Sequence, residues 1–390
     1  MKRKEITTVT VIGAGDMGHG IAQAALLGGL IVHLYDTNNT SLQRGVDKIN
    51  ESLEILHRKG KIKAEEMQFC KTNLHPTLNF QEAIESSPFI FEAVPEIVEL
   101  KRNLYSDMEK IASRNTIFAS NTSNMKISEI TKDLQYKDRV VGAHFFNPVV
   151  LMKLVEVIRG DETSDETMEI TYDLCLKMNK TPVRVEKDSP SFIVNRINAP
   201  LRVFLGAIVD NEIAQPEEID ALMKFHGEPM GHFELADYVG LDVTYYSCQY
   251  RQQVLHQDYI PYKKLTEKVN SGELGKKAGK GFYDWSVGRP NIDVDKKTDK
   301  IKMSDIDLVK LNEAAKLIEE GVATPKDIDL AMVLGTGDKV GPIEKNKGIQ
   351  LEDAINRLAT LAKELNKQVL EPAKILSQAP ENVFLWEGQR

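Results

Sequence analysis

Two groups of residues have types and spacings that chemistry could use. In the first, His144 closes the apolar run VVGAHF, and twelve residues on Glu156 sits inside the apolar segment KLVEVI. A glutamate with apolar neighbours in a buried strand is costly unless it is paired. If the two runs fold back on each other around Val150, His144 and Glu156 face one another across an antiparallel pair. A carboxylate on one ring nitrogen would fix the tautomer and raise the basicity of the other, which makes His144 a candidate general base. A purely structural His–Glu pair bridging two strands fits the same spacing. Spacing alone leaves both open.

The second group is the loop GAGDMG. It sets Gly13, Gly15 and Gly18 in GxGxxG register, with Asp16 and Met17 between them, and Asp36 follows eighteen residues after Gly18. Gly13 permits a tight turn, Gly15 lets a pyrophosphate approach the backbone, and Gly18 allows close helix–strand packing. An acid at the position of Asp36 accepts hydrogen bonds from ribose hydroxyls and repels a 2′-phosphate. The TNNTS that follows has no arginine to receive such a phosphate. The pattern points to NAD rather than NADP.

The elements that must position these groups read as an α/β pattern. TTVTVI (7–12) is β-branched and apolar, hence a buried strand, and HGIAQAALLGG continues from the glycine loop as a helix. IVHLYD is a second strand, and a long helical pattern begins near Thr40. SPFIFEAV (87–94) and TIFAS are further strands, with a helix carrying Leu100, Leu104 and Met108 between them. Such alternation predicts a Rossmann-like, doubly wound parallel sheet, whose ligands sit at the carboxyl ends of the strands. Glu96, the SNTSN stretch (120–124) and His144 lie there.

After Val185 the alternation stops, and an all-α domain is expected from about residue 188 to 285. Its segment AQPEEIDALM (214–223) recurs as ATPKDIDLAM (323–332), an offset of 109, and GEPMG is echoed by GDKVG with one extra residue. Residues 301–390 therefore read as a second, degenerate copy of the helical domain. The charged, turn-rich segment 286–300 reads as the linker, and 1–187 as the dinucleotide domain. The same offset places Ser304 opposite Asn195, and the copy lacks a GKKAGKGFY tail. A second active site is not expected.

Composition narrows the partners. A net charge of −8 provides no basic field for nucleic acid or an anionic membrane. No apolar stretch reaches the roughly 18 residues of a membrane span. The three scattered cysteines suit neither a disulfide framework nor a zinc site, and fit a reducing cytoplasm. The remaining histidines have no metal-ligand spacing, so no metal is expected.

SNTS, HFFNPVVLMKLVEVI, SFIVNR, GEPMGHFELADYVGLD and GKKAGKGFYDW occur in this order after the glycine loop. From residue 7 to about 285 the chain resembles the L-3-hydroxyacyl-CoA dehydrogenase family. The resemblance implies reversible, NAD-dependent oxidation of a 3-hydroxyacyl-CoA to the 3-ketoacyl-CoA, in fatty-acid or butyrate-type metabolism. It implies His144 as base, Glu156 as its orienting partner, Ser123 contacting substrate and cofactor, and Asn195 positioning the acyl group. For NAD it carries over Asp36, Glu96, Lys101, Ser123, Asn147 and Lys277 besides the glycine loop. For the CoA portion it carries over Ser52 and Lys59 together with Ser123. Glu96 and Lys101 taken alone would pass for an exposed pair at a helix start, and the lysines around Lys59 for a solvated face.

Short family members dimerise through their helical domains. The resemblance therefore implies either a homodimer or a monomer whose second copy packs on the first. Two departures are visible. Ser191 stands where the family usually has glycine, and His232 where proline is common. Two alternatives remain beside this reading: a dehydrogenase of free hydroxy or sugar acids, like the gulonate dehydrogenase and λ-crystallin branch, and a non-catalytic NAD-binding protein.

Overall fold

The computed structural model describes residues 5–378. It divides into two compact units, one running to Phe192 and taking in Leu334–Gly337, the other comprising Ile193–Val333 and the chain from Asp338.

The first unit is built on eight strands: β1 (Thr8–Ile12), β2 (Ile31–Tyr35), β3 (Leu74–Thr77), β4 (Phe89–Glu92), β5 (Ile117–Ser120), β6 (Val140–Phe145), β7 (Leu154–Arg159) and β8 (Thr181–Val185). Their order is β3-β2-β1-β4-β5-β6-β7-β8, and every pair is parallel except β6–β7. β3 was not visible in the sequence, because LHPT carries a proline that a central strand would not tolerate. Pro76 is allowed because β3 is an edge, and Pro182 lies in β8 at the opposite edge. Tyr35, Ile12, Glu92 and Ser120 are successive register partners. The carboxyl ends of the central strands therefore form one rim.

Helices complete this unit. α1 (Asp16–Leu27) starts directly at the glycine loop, and α2 (Asn39–Arg58) is capped by the Asn38 side chain, which accepts from Ser41 N–H at 3.1 Å. α3 (Val98–Ile111) follows β4. Val9, Val11, Ile21, Leu26, Phe91 and Val155 share one core of fully buried side chains. Each such side chain contributes roughly 1.5–3 kcal/mol relative to exposure.

The second unit is helical and built twice. The first copy holds α4 (Val194–Asp210), α5 (Pro216–Phe225), α6 (His232–Val239) and α7 (Leu241–Val254), and the second holds α8 (Met303–Glu319), α9 (Pro325–Thr336) and α10 (Leu351–Leu365). α8 reproduces α4 at an offset of 109 at both ends. The repeat extends to a capping device. Asp220 on α5 accepts from Phe233 and Glu234 N–H at 3.0 and 2.7 Å; Asp329 on α9 accepts from Ile343 and Glu344 N–H at 2.8 and 2.9 Å. Each carboxylate covers the start of a helix, α6 in the first copy and the short helix Pro342–Lys345 in the second. Gly231 and Gly341 are the glycines this requires, since a Cβ on either would fall within 2.5 Å of the aspartate side chain.

The two copies share one core, in which Phe204, Ile208 and Leu265 lie with Ile306, Val309 and Leu361. The division between the units falls between Phe192 and Ile193. Segment 286–300, which joins the two copies, packs on the first. Ile292 is buried, Arg289 pairs with Glu234, Lys297 stacks at 4.0 Å over Phe225, and Thr298 N–H donates to Glu218 O.

Candidate active site

β6 and β7 pair in the register that sets His144 opposite Glu156. The imidazole Nδ1 lies 2.6 Å from Glu156 Oε2, with the histidine 4% and the glutamate 0% exposed. A carboxylate there accepts the Nδ1–H, which leaves Nε2 as the nitrogen with a lone pair. The ring sits 4.5 Å from the Phe146 ring and 5.8 Å from the Phe192 ring, so an apolar wall surrounds its polar edge. Asn121, whose Oδ1 accepts from Phe145 N–H at 2.9 Å, anchors the same end of β6 to β5's loop.

The glycine loop has the geometry a dinucleotide needs. A Cβ on Gly18 would lie 1.7 Å from Gly13 O, and one on Gly13, whose φ is +98°, would lie 2.7 Å from Ala93 O. Gly15 differs: a Cβ there would meet nothing within 4 Å, which leaves open space above the start of α1 for a phosphate. Asp36 accepts from Ala14 N–H at 2.9 Å and from Asn38 N–H at 2.9 Å, so the acid assigned to the ribose also braces the loop. The Asp16 side chain pairs with Lys48 on α2, and Met17 packs against the core. These residues fit NAD, which the backbone N–H groups of α1's first turn and Asp36 would hold.

Between β4 and β5 the structure assembles a buried ionic network. Lys101 from α3 is 1% exposed, and its ammonium lies 2.7 Å from Glu92 and 3.3 Å from Glu96. Burial alone would push the ammonium down, but the two carboxylates outweigh it and hold it above its ordinary value. Glu96 Oε1 accepts from the Thr122 hydroxyl at 2.5 Å and from Ser123 N–H at 3.0 Å. The Lys101 ammonium, expected at the cofactor, lies between Glu92 and Glu96. Ser123 sits half-buried on the loop that Glu96 holds.

A sequence model of the 3-hydroxyacyl-CoA dehydrogenase NAD binding domain matches residues 8–189. That of the 3-hydroxyacyl-CoA dehydrogenase C-terminal domain matches residues 192–285 and 307–384. The probable 3-hydroxybutyryl-CoA dehydrogenase of Bacillus subtilis is 39% identical over 287 residues, 72% of this chain and 98% of that protein. The mitochondrial hydroxyacyl-coenzyme A dehydrogenase of Rattus norvegicus is 38% identical over 73% of this chain and 93% of its own length. The crystal structure of 3-hydroxybutyryl-CoA dehydrogenase from Escherichia coli superposes with a TM-score of 0.88 at 27% identity, covering 96% of this chain and 98% of that one. The chain belongs to the 3-hydroxyacyl-CoA dehydrogenase family.

Other expected residues of this 3-hydroxyacyl-CoA dehydrogenase stand as follows. Asn147 is exposed just beyond β6. Ser52 on α2 is half-buried and accepts from Gln23 Nε2 at 2.8 Å, and Lys59 is exposed at the C-cap of the same helix. Asn195 is the second residue of α4 and Lys277 lies in a 3-10 turn paired with Asp242; both belong to the helical unit. Of the two departures from the family, Ser191 is fully buried with φ +69°, in the left-handed region that favours glycine. His232 opens α6, and its Nε2 is buried without a hydrogen-bond partner among the described residues. Burial, and then Arg202 and Lys310, push that imidazole down to about 3, so it is neutral.

Sequence reasoning missed Glu92. It is fully buried at the end of β4 and accepts from Lys101, from the Ser120 hydroxyl at 2.7 Å and from Val94 N–H at 2.8 Å. The signal was present: a glutamate inside FIFEAV raises the same pairing question that Glu156 raises inside KLVEVI.

Proposed function

We propose that this chain is an NAD-dependent 3-hydroxyacyl-CoA dehydrogenase, interconverting the L-3-hydroxyacyl and 3-ketoacyl thioesters in fatty-acid or butyrate-type metabolism. The single observation that carries the reading is the buried His144–Glu156 pair at the cofactor rim of the sheet. Bound NAD supplies the acceptor for the hydride that leaves C3. His144 Nε2 takes the proton of the 3-hydroxyl as that hydride leaves, and Glu156 holds the ring in the accepting tautomer and stabilises the imidazolium. Glu96 and Lys101 hold the Ser123 loop in place, Ser123 contacts the substrate, and Asn195 orients the acyl group. In the reverse direction the same imidazolium returns the proton to the carbonyl oxygen.

Ser52 and Lys59 are proposed contacts for the CoA portion, and Asn147 and Lys277 for NAD. The three cysteines are free and buried, and among the described residues no helix is long and apolar enough to cross a membrane. Both features support the proposed cytoplasmic setting. The second helical copy is proposed to take the place that a second chain occupies in shorter relatives.

The test is NADH oxidation, followed by absorbance, with acetoacetyl-CoA. Wild-type protein turns over, and His144→Ala loses about 10²–10⁴-fold in kcat while still binding NADH. Wild-type protein that binds NADH yet is inactive on acetoacetyl-CoA and on longer 3-ketoacyl-CoAs would remove the thioester reading and point to free hydroxy acids.

A further inference from the structure

Lys180, which stands just before β8, is a buried charge that the reaction does not use. It is 7% exposed, and among the described residues no carboxylate pairs with it. Its ammonium donates instead to two backbone carbonyls, Val149 O and, at 2.9 Å, Met152 O. Both belong to the loop 146–153 that joins β6 to β7, between His144 and Glu156. Lys153 at the end of that loop and the Cys175 thiol on the helix Asp165–Lys177 are the titratable groups that face it. Burial, then the charge of Lys153, push Lys180 down to about 8, so at neutral pH it is still mainly an ammonium.

A cation held out of water without a counter-ion costs stability, and an apolar side chain would fill the same place more cheaply. The question is what the ammonium holds. Pro148 O accepts from Leu151 and Met152 N–H at 3.0 and 2.9 Å, which folds the loop into a turn. The far end of the turn is tied to the start of β8, where Thr181 N–H donates to Lys153 O at 2.7 Å and the Lys153 ammonium to Asn179 O at 3.1 Å. The near end lies against α1. Val149 is 3% exposed, and a Cβ on Gly20 of α1 would lie 2.8 Å from the Val149 Cβ. Asn147 is exposed on this near end, two residues before Val149. Lys180 supplies the polar tie there, and a charged donor bonds a carbonyl about twice as strongly as a neutral one.

We propose that Lys180 is a positioning residue for the cofactor: by bonding the carbonyls of Val149 and Met152 it fixes the loop 146–153 against α1 and so sets Asn147 at NAD. The inference rests on the proposed contact of Asn147 with NAD. Lys180 itself transfers no proton and touches no reacting atom.

The experiment is a double-mutant cycle on NADH affinity, read by fluorescence titration of the full chain without acyl-CoA. Lys180→Met keeps the stem and removes the charge, and is expected to weaken NADH binding about three- to tenfold, as is Asn147→Ala. The double variant is expected to bind within about twofold of Asn147→Ala alone, because the loss through Lys180 is the loss of Asn147's placement. A merely structural lysine would lower the folded fraction and leave the dissociation constant of the folded protein unchanged. Circular dichroism shows whether Lys180→Met is folded; if it is not, Lys180→Gln, with a neutral donor on a shorter stem, takes its place in the cycle. Wild-type affinity in the folded lysine variant or in Asn147→Ala, or losses that multiply in the double variant, overturn the proposal while NAD binding by the wild type stands. A wild type that does not bind NADH would remove the cofactor assignment and this proposal together.

Discussion

Ser191 shows how a single position trades backbone against side chain. A residue other than glycine in the left-handed region costs about 1–2 kcal/mol. Against this, the Ser191 hydroxyl donates to Asn124 Oδ1 at 3.2 Å, and its N–H to Asn124 O at 3.1 Å, next to Ser123. A hydrogen bond of that kind returns about 0.5–1.5 kcal/mol. Glycine would relieve the backbone but forfeit the hydroxyl and add about 0.4–1 kcal/mol of unfolded-state entropy. The terms nearly cancel, so Ser191→Gly is expected to stay within about 1 kcal/mol of wild type. Ser191→Ala keeps the strained backbone and loses the bond, and is expected to fall by about 0.5–1.5 kcal/mol. Urea unfolding of the two variants checks this, and equal stability of Ser191→Ala and wild type would show that the hydroxyl contributes nothing. His144 was placed with its partner by sequence spacing because strand pairing has a period of two and one buried acid had to be answered. Nothing in PEIVELK reveals that the helix turns the Lys101 side chain inward onto Glu92.

At the level of elements, the loop between β4 and α3 and the loop after β5 are held by one charge cluster rather than by apolar packing. Glu92, Lys101 and Glu96 bind in a row, and Glu96 then holds Thr122 and Ser123. Replacing Lys101 by methionine keeps the stem but leaves Glu92 buried without its cation. Breaking a buried pair in this way costs about 3–5 kcal/mol. Lys101→Met is therefore expected to lower Tm clearly and to weaken NADH binding through the Ser123 loop. Adding Glu92→Gln to it removes the stranded charge, so the double variant is expected to recover a large part of the stability but not the loop order. A double-mutant cycle by denaturant unfolding reads this; additive losses would show that the two residues do not act as a pair. The sequence displayed most strands here because buried parallel strands are continuous apolar runs. It hid β3, an edge with a proline, and it hid the third member of the charge cluster, since contacts across strands are not periodic in sequence.

On the scale of the whole molecule, the helical repeat is arranged as two subunits of a symmetric dimer would be. α4 packs on its own counterpart α8, and both contribute to one core. The 3-10 turn Gln257–Tyr259 has its counterpart in Gln368–Leu370 at an offset of 111, and Asp258 accepts from Val369 N–H. Val369 is the counterpart of Asp258 itself. A residue that meets its own equivalent lies on the axis relating the copies, as in an isologous interface. The Bacillus subtilis relative is matched over 98% of its length by 72% of this chain. Removing residues 300–390 would uncover Phe204, Ile208 and their neighbours on α4 and α5, which are now buried against Ile306, Val309 and Leu361. An exposed patch of that kind drives association. The truncated protein is expected to dimerise or aggregate, and light scattering coupled to size exclusion measures it. A truncated chain that runs monodisperse at its own mass would show that the second copy does not stand in for a partner subunit.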